Sequence, residues 1–261
     1  MGSNLHRFRL HLVFAGAWAV AVIVTTGVAQ AQFADDARED RWAQQVVPQV
    51  VVGDVVWLST PQRARVLALF TDAQPRKGGV IIVHGFGVHP DWGLNGVLRV
   101  ELADRGFATL SVQMPVLSAD KTRELYRPLL GVAGDRVAAA LRDLRGRGIA
   151  KVAIVSHSIG GSIVDAYLAR PDALPVAAWI PIGMLADFAR APRMPILDII
   201  AERDFAEVVA SGALRAPQLP RDRCSRVVTV AGADHYFGRS TDNLAAQIVP
   251  FLDRVFAGEC G

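Results

Sequence analysis

Four short stretches of this 261-residue chain carry side chains able to act together on a carbonyl carbon. The stretch Ser156-His157-Ser158-Ile159-Gly160-Gly161 sets a serine hydroxyl among small residues, directly after the apolar run Val152 to Val155. A hydroxyl becomes a nucleophile when a neighbouring base takes its proton. The chain has six histidines to offer, of which His6 and His11 fall in a leader-like start. His84 stands in His84-Gly85-Phe86-Gly87, His89 in the loop after it, His157 beside Ser158, and His235 at the end of Gly232-Ala233-Asp234-His235. Carboxylates that could orient an imidazole and stabilise its charged form occur in Ala201-Glu202-Arg203-Asp204 and at Asp234. A serine between small residues is common and says little alone. The apolar run before it and the Gly-Gly pair after it give it weight.

The elements that must position these residues can be read from the apolar pattern. Phe33 to Gln45 reads as a short polar helix. Val50 to Leu58 and Arg65 to Phe70 alternate around Ser59-Thr60-Pro61, which predicts an antiparallel hairpin. Val80 to Val83 is a continuous apolar run, as expected of a strand buried on both faces. Further strands are expected at Ala108 to Gln113, Val152 to Val155, Val176 to Ile180, Ile196 to Ala201 and Val227 to Val230. Helices are expected from Leu129 to Arg145, from Gly160 through Leu168, and over the closing segment with Leu244, Ile248, Phe251, Leu252 and Val255, where Pro250 should bend or interrupt the helix. Strands alternating with helices predict a mostly parallel sheet, and such sheets bind ligands at the carboxyl ends of their strands. Each of the four stretches above follows one of those strands.

With that placement, Ser156 to Gly161 resembles the nucleophile elbow of α/β-hydrolases, a G-x-S-x-G turn between strand and helix, here with Ser156 for the first glycine. The resemblance extends from about Val50 to Phe256 and implies an α/β fold of the α/β-hydrolase type, with helices on both faces of a mostly parallel sheet. It implies Ser158 as nucleophile and His235, just past the last strand, as base. Asp204 becomes the acid, in a turn resembling G-x-x-D with Ala201 for glycine. Glu202 and Asp234 are its rivals, and Asp198 lies too deep in its strand. In His84-Gly85-Phe86-Gly87 the resemblance implies an oxyanion hole formed by the backbone N–H groups of Phe86 and Ile159, although glycines there also serve any sharp turn. His157 is expected to point away from the site.

The stretch Val80 to Val116, with His89-Pro90-Asp91-Trp92 in it, is similar to a family of exported bacterial α/β-hydrolase-like proteins of unknown function. His89, Asp91 and Trp92, together with His84, are expected to shape a substrate pocket beside the oxyanion hole; the alternative is that Asp91 and Trp92 only brace a long loop. About a dozen residues, Gly183 to Arg193, separate two strands where relatives often insert a lid, which is too short for a cap domain. Leu185, Phe188 and Met194 are then expected to line one side of a shallow pocket.

The beginning of the chain has a different character. Arg7 and Arg9 precede a largely apolar run from Leu10 to Val28, and Ala29-Gln30-Ala31 follows as an A-x-A cleavage pattern. Residues 1–31 therefore read as a signal peptide and 32–261 as one mature domain in the periplasm or outside the cell, with no stable membrane span after cleavage. A retained anchor is the alternative reading of the same run. The formal charge of +3 comes from 28 basic and 25 acidic residues. Losing Arg7 and Arg9 leaves 26 against 25, with no basic stripe, so nucleic acid is not an expected partner. The two cysteines, Cys224 and Cys260, are expected to pair in an oxidising compartment, with two free buried thiols as the alternative.

The chemistry so implied is hydrolysis of a small-molecule ester or thioester without metal or organic cofactor. The alternative is a catalytically silent hydrolase fold that binds a ligand or partner in the cell envelope. N-terminal sequencing of the protein recovered from the periplasm or culture medium should begin at Gln32. An intact N-terminus in the membrane fraction would indicate an anchor instead.

Overall fold

The computed structural model describes residues 34–261, so the expected signal peptide, residues 1–31, lies outside the described residues. Among the described residues eight strands form a single sheet in the order β1-β2-β4-β3-β5-β6-β7-β8. Their spans are β1 Asp54–Leu58, β2 Val66–Thr71, β3 Gly78–Val83, β4 Phe107–Val112, β5 Val152–His157, β6 Ala178–Ile182, β7 Leu197–Arg203 and β8 Arg226–Asp234. The β1–β2 hairpin and the β2–β4 pair are antiparallel, and every pairing from β4 across to β8 is parallel. The sheet is thus mostly parallel, as the motifs imply.

Helices cover both faces because the central strands are apolar on both. Val80 and Ile82 of β3 pack with Leu98 and Leu102 of α2 (Leu94–Asp104) and with Leu244, Ile248 and Phe251 of α6 (Thr241–Ala257). Ile81 and Val83 point the other way, into a cluster with Val137 and Leu141 of α3 (Leu130–Gly146) and Ile163 and Val164 of α4 (Ile159–Leu168). Period-two alternation along one strand therefore builds two cores. Helix α1 (Asp36–Val46) packs Ala43 and Val46 on Leu67 and Leu69 of β2, and α5 (Ala206–Arg215) buries Val208 near the β7 end of the sheet. Among the described residues no helix is long and apolar enough to cross a membrane.

Several sequence expectations shift. The first strand begins at Asp54 and not at Val50, because Gly53 turns the chain with φ 79°. Pro250 does not interrupt α6; it lies on the exposed side, where the carbonyl it leaves without a donor can face water. Helices α2 and α5 have no counterpart in the sequence reading. Residues 183–196 join β6 to β7 without a helix, so no cap domain stands there.

Cys224 and Cys260 are joined by a disulfide with Cα atoms 5.2 Å apart and a sequence separation of 36. The bridge fastens the segment entering β8 to the end of α6, and Arg223 N–H donates to the Cys260 carbonyl beside it (3.1 Å). Closing a loop of this length constrains the unfolded chain, an effect worth about 2–4 kcal/mol. Urea unfolding of Cys224→Ser/Cys260→Ser, or of the wild type under reductant, should show a loss of that size. An unchanged midpoint would mean that the bridge adds nothing to α6 docking.

Candidate active site

Strand β5 delivers Ser158 to the site. All six of its residues are buried between β3 and β6, and the chain then reverses within one residue. Ser158 holds φ 56° and ψ −124°, a backbone region that non-glycine residues rarely occupy. The turn is tight enough to exclude a side chain at Gly160, where a Cβ would stand 2.6 Å from the Val83 carbonyl oxygen and 2.7 Å from that of His84. Ser156, in the place of the elbow's first glycine, is fully buried, and its Oγ accepts the indole N–H of the buried Trp179 (2.9 Å).

The loops after β7 and β8 bring the other two groups. The side chain of Asp204 is buried beneath His235, whose Nδ1–H donates to Asp204 Oδ1 (2.6 Å). The Phe205 backbone N–H donates to the same oxygen (2.8 Å). A carboxylate can only accept, so it fixes the proton on Nδ1 and leaves Nε2 as the acceptor facing Ser158 Oγ at 3.0 Å. Gly183, at φ 59° after β6, allows this approach: a Cβ there would lie 3.1 Å from the imidazole and 3.2 Å from Asp204 Oδ2. The rival carboxylates are engaged elsewhere. Glu202 accepts the Gly232 N–H (2.8 Å), and Asp234 accepts those of Tyr236 and Phe237. Asp198 forms a buried ion pair with Arg215 (2.8 Å).

Phe86 lies in the turn after β3, and Ile159 opens α4. Among the described residues neither backbone N–H donates a hydrogen bond to another group. Both turns border a cleft of about 330 Å³ whose lining includes Ser158, His235, His157, Phe86, Trp92, Phe205 and Tyr236. The free N–H at the start of α4 also carries the positive end of that helix.

Three of the four residues expected to shape the pocket do not line it. His84 is buried and engaged on both ring nitrogens: Nδ1–H donates to the Gly85 carbonyl (2.8 Å), and Nε2 accepts the Met114 N–H (2.8 Å). It ties the end of β3 to the segment after β4. His89 stands behind the wall, its ring between those of Trp42 and Trp92. Trp92 does line the cleft, while Asp91 braces the loop through Arg99 (2.8 Å).

The opposite correction applies to His157. Its ring lies 4.9 Å from that of His235, and Nε2–H donates to the His235 backbone carbonyl (2.8 Å). The contact depends on the loop after β8 folding back over β5, which local sequence does not reveal. Leu185, Phe188 and Met194 are not part of the cleft; Phe188 is buried against Trp179. The far wall comes from Phe205 and Tyr236, each next in sequence to a proposed site residue.

The arrangement matches a known architecture. The chain has the α/β-hydrolase fold. Residues 26–130 match the family model DUF3530, described as a protein of unknown function. No curated protein matches the chain. Among solved structures it is similar to a putative α/β hydrolase from Agrobacterium tumefaciens (TM-score 0.62, 20% identity, covering 79% of this chain and 98% of that one). It is also similar to a thermophilic esterase from Thermogutta terrifontis (0.61, 14%, 78% and 100%) and to a dienelactone hydrolase from Anabaena variabilis (0.60, 20%, 80% and 98%).

Burial gives the histidines under the site a measurable signature. Desolvation holds His84 down to about 3; desolvation and then the neighbouring His235 hold His157 down to about 4. Both stay neutral in the fold, whereas histidines of an unfolded chain titrate near 6.5. Between these values the unfolded chain binds more protons, so the stability from neutral burial is complete above about pH 6.5 and is lost as pH falls toward 4 and then 3. Each histidine should contribute a slope of up to about 1.4 kcal/mol per pH unit. Urea unfolding at pH 6 and pH 5 should show a shallower dependence for His157→Asn than for the wild type. Equal slopes would mean that His157 is charged in the native state.

Proposed function

We propose that the chain is an exported serine hydrolase that cleaves a carboxylic ester or thioester through an acyl-enzyme on Ser158. The observation that carries this reading is the continuous hydrogen-bonded run from Ser158 Oγ through His235 to Asp204, at 3.0 and 2.6 Å. Both distances lie at hydrogen-bond reach, as proton transfer requires. A serine held in a left-handed turn at the mouth of a cleft adds to it. The hydrolases and esterases that share the fold make esters the first carbonyl class to test.

The steps follow from where the atoms lie. Ser158 Oγ attacks the carbonyl carbon as His235 Nε2 takes its proton, and Asp204 stabilises the imidazolium that results. The carbonyl oxygen gains negative charge and is met by the N–H groups of Phe86 and Ile159, an arrangement in which one donor is worth about 10²–10³ in rate. His235 returns the proton to the departing alcohol or thiol. Water then attacks the acyl-enzyme with His235 again as base, releasing the acid and restoring the serine. No step calls for a metal or an organic cofactor. The A-x-A pattern and the disulfide support a periplasmic or secreted location.

A fluorescent fluorophosphonate applied to the purified mature protein and to Ser158→Ala tests the reading directly. Labelling of the wild type alone is the expected result. If neither labels while both are folded, Ser158 is not activated, and the silent ligand-binding reading takes its place.

A further inference from the structure

Among the described residues exposed aromatic side chains are few, and most of them gather in one place. Among the described residues five are exposed, Trp57, Phe86, Trp92, Phe205 and Tyr236, and all but Trp57 line the cleft above Ser158. Their fractional exposures are 40% for Phe86, 57% for Trp92, 46% for Phe205 and 66% for Tyr236. Leaving ring surface in water is unfavourable in proportion to its area, so a cluster of this kind marks a surface suited to being covered.

The order of the strands separates the four rings into two walls. Ser158 follows β5; Phe86 and Trp92 follow β3 on one side of it, while Phe205 and Tyr236 follow β7 and β8 on the other. The departing oxygen must receive the proton of His235, so the alcohol half of an ester lies on the His235 side. There Phe205 stands 4.6 Å and Tyr236 5.4 Å from the imidazole, ring centre to ring centre. The acyl half then extends toward Trp92.

That acyl-side wall is built in advance. The Trp92 ring meets His89 edge-on at 5.7 Å, His89 meets Trp42 of α1 at the same distance, and Asn95 Nδ2 donates to the Trp92 carbonyl (3.1 Å). A fixed indole discriminates by shape, since ring pairs take offset or edge-to-face geometries that a puckered saturated ring fits less well. At the rim Arg123 and Glu124 stand side by side with opposite charges (3.5 Å), so the mouth offers no net charge to a charged acyl group.

We propose that this subsite takes a planar aromatic acyl group, which makes uncharged aryl-acyl esters the substrate class. This rests on the hydrolase reading above. In the overall reaction R–CO–OR′ and water give R–COOH and R′–OH. The acyl carbon–oxygen bond breaks, the water oxygen remains in the acid, and R carries the ring that packs on Trp92.

Three 4-nitrophenyl esters test it: acetate, phenylacetate and cyclohexylacetate, the last two alike in size and in carbonyl reactivity. The wild type should favour phenylacetate over cyclohexylacetate in kcat/KM by about threefold to tenfold, the range of an aromatic pair interaction. Trp92→Ala should remove that preference, Trp92→Phe should keep most of it, and Trp57→Ala, an exposed aromatic outside the cleft, should leave it unchanged. Turnover that depends on Ser158 but does not distinguish the two esters, or a preference that survives in Trp92→Ala, overturns the aromatic subsite alone. Absence of any Ser158-dependent turnover overturns the hydrolase reading and this one with it.

Discussion

The backbone turn at Ser158 is the constraint on which the rest of the site depends. A serine in the left-handed region costs on the order of 1–3 kcal/mol and persists only where its surroundings over-determine it. Here they do so from three directions. The Ser158 N–H donates to the Ile182 carbonyl at the end of β6 (2.8 Å), and the Ser158 carbonyl accepts the Gly161 N–H (2.9 Å). Gly160 lets α4 press against the carbonyls that end β3. Strands β3, β5 and β6 thus meet at one residue, and their burial on both faces holds the turn in place. The same packing aims the start of α4 at the hydroxyl, so the helix end and the strained serine come from one device.

The loops around that turn are irregular and are held by buried charge. Arg215 is fully buried; it grips both carboxylate oxygens of Asp198 and also donates to the carbonyls of Met184 and Ala186 (2.8 and 2.7 Å), pinning the loop that begins at Gly183. On the other side Glu39 of α1 pairs with the buried Arg136 (2.8 Å), which also donates to the Gln113 carbonyl (3.0 Å). Arg38 of the same helix donates to the carbonyls of Leu117 and Gly87. Breaking a buried pair by removing one partner costs about 3–5 kcal/mol because a charge is left without compensation. These pairs therefore fix geometry more than they add net stability. Helix α1, at the start of the expected mature chain, acts at a distance as a support for the turn that carries Phe86.

Sequence made the frame of this site legible and hid its supports, for a physical reason. Ser158, Asp204 and His235 each stand just past an apolar run, and a parallel sheet must gather the carboxyl ends of its strands at one edge; local pattern is enough to assemble them. His84, by contrast, looks like a pocket residue in its motif, and only the approach of Met114, in the segment after β4, shows both its nitrogens to be occupied. His157 stands beside Ser158 with nothing local to turn it toward the site, yet its ring meets a carbonyl 78 residues further along. Helix α5 leaves no apolar stripe in the sequence, because its buried side is carried partly by Gly212 and the ion-paired Arg215. Contacts that cross between loops leave no local pattern in the sequence.

The two departures from the family's small-residue pattern bear on whether this is a working elbow. A second polar atom beneath Ser158 would be a defect if it competed for the Ser158 hydroxyl or stood without a partner. Ser156 does neither: it is fully buried, and its Oγ accepts the Trp179 N–H. A glycine at 156 would leave that indole donor buried and unsatisfied, at about 1–3 kcal/mol. Ser156 and Trp179 are thus one coupled choice, with the larger ring filling core between β6 and Phe188. Ala201 is equally accounted for, since it is buried in β7 and its carbonyl accepts the Asp204 N–H (3.1 Å) that starts the turn carrying Asp204. Neither change touches the run from Ser158 to Asp204. The departures alter what packs under the site and leave its hydrogen-bonded line intact.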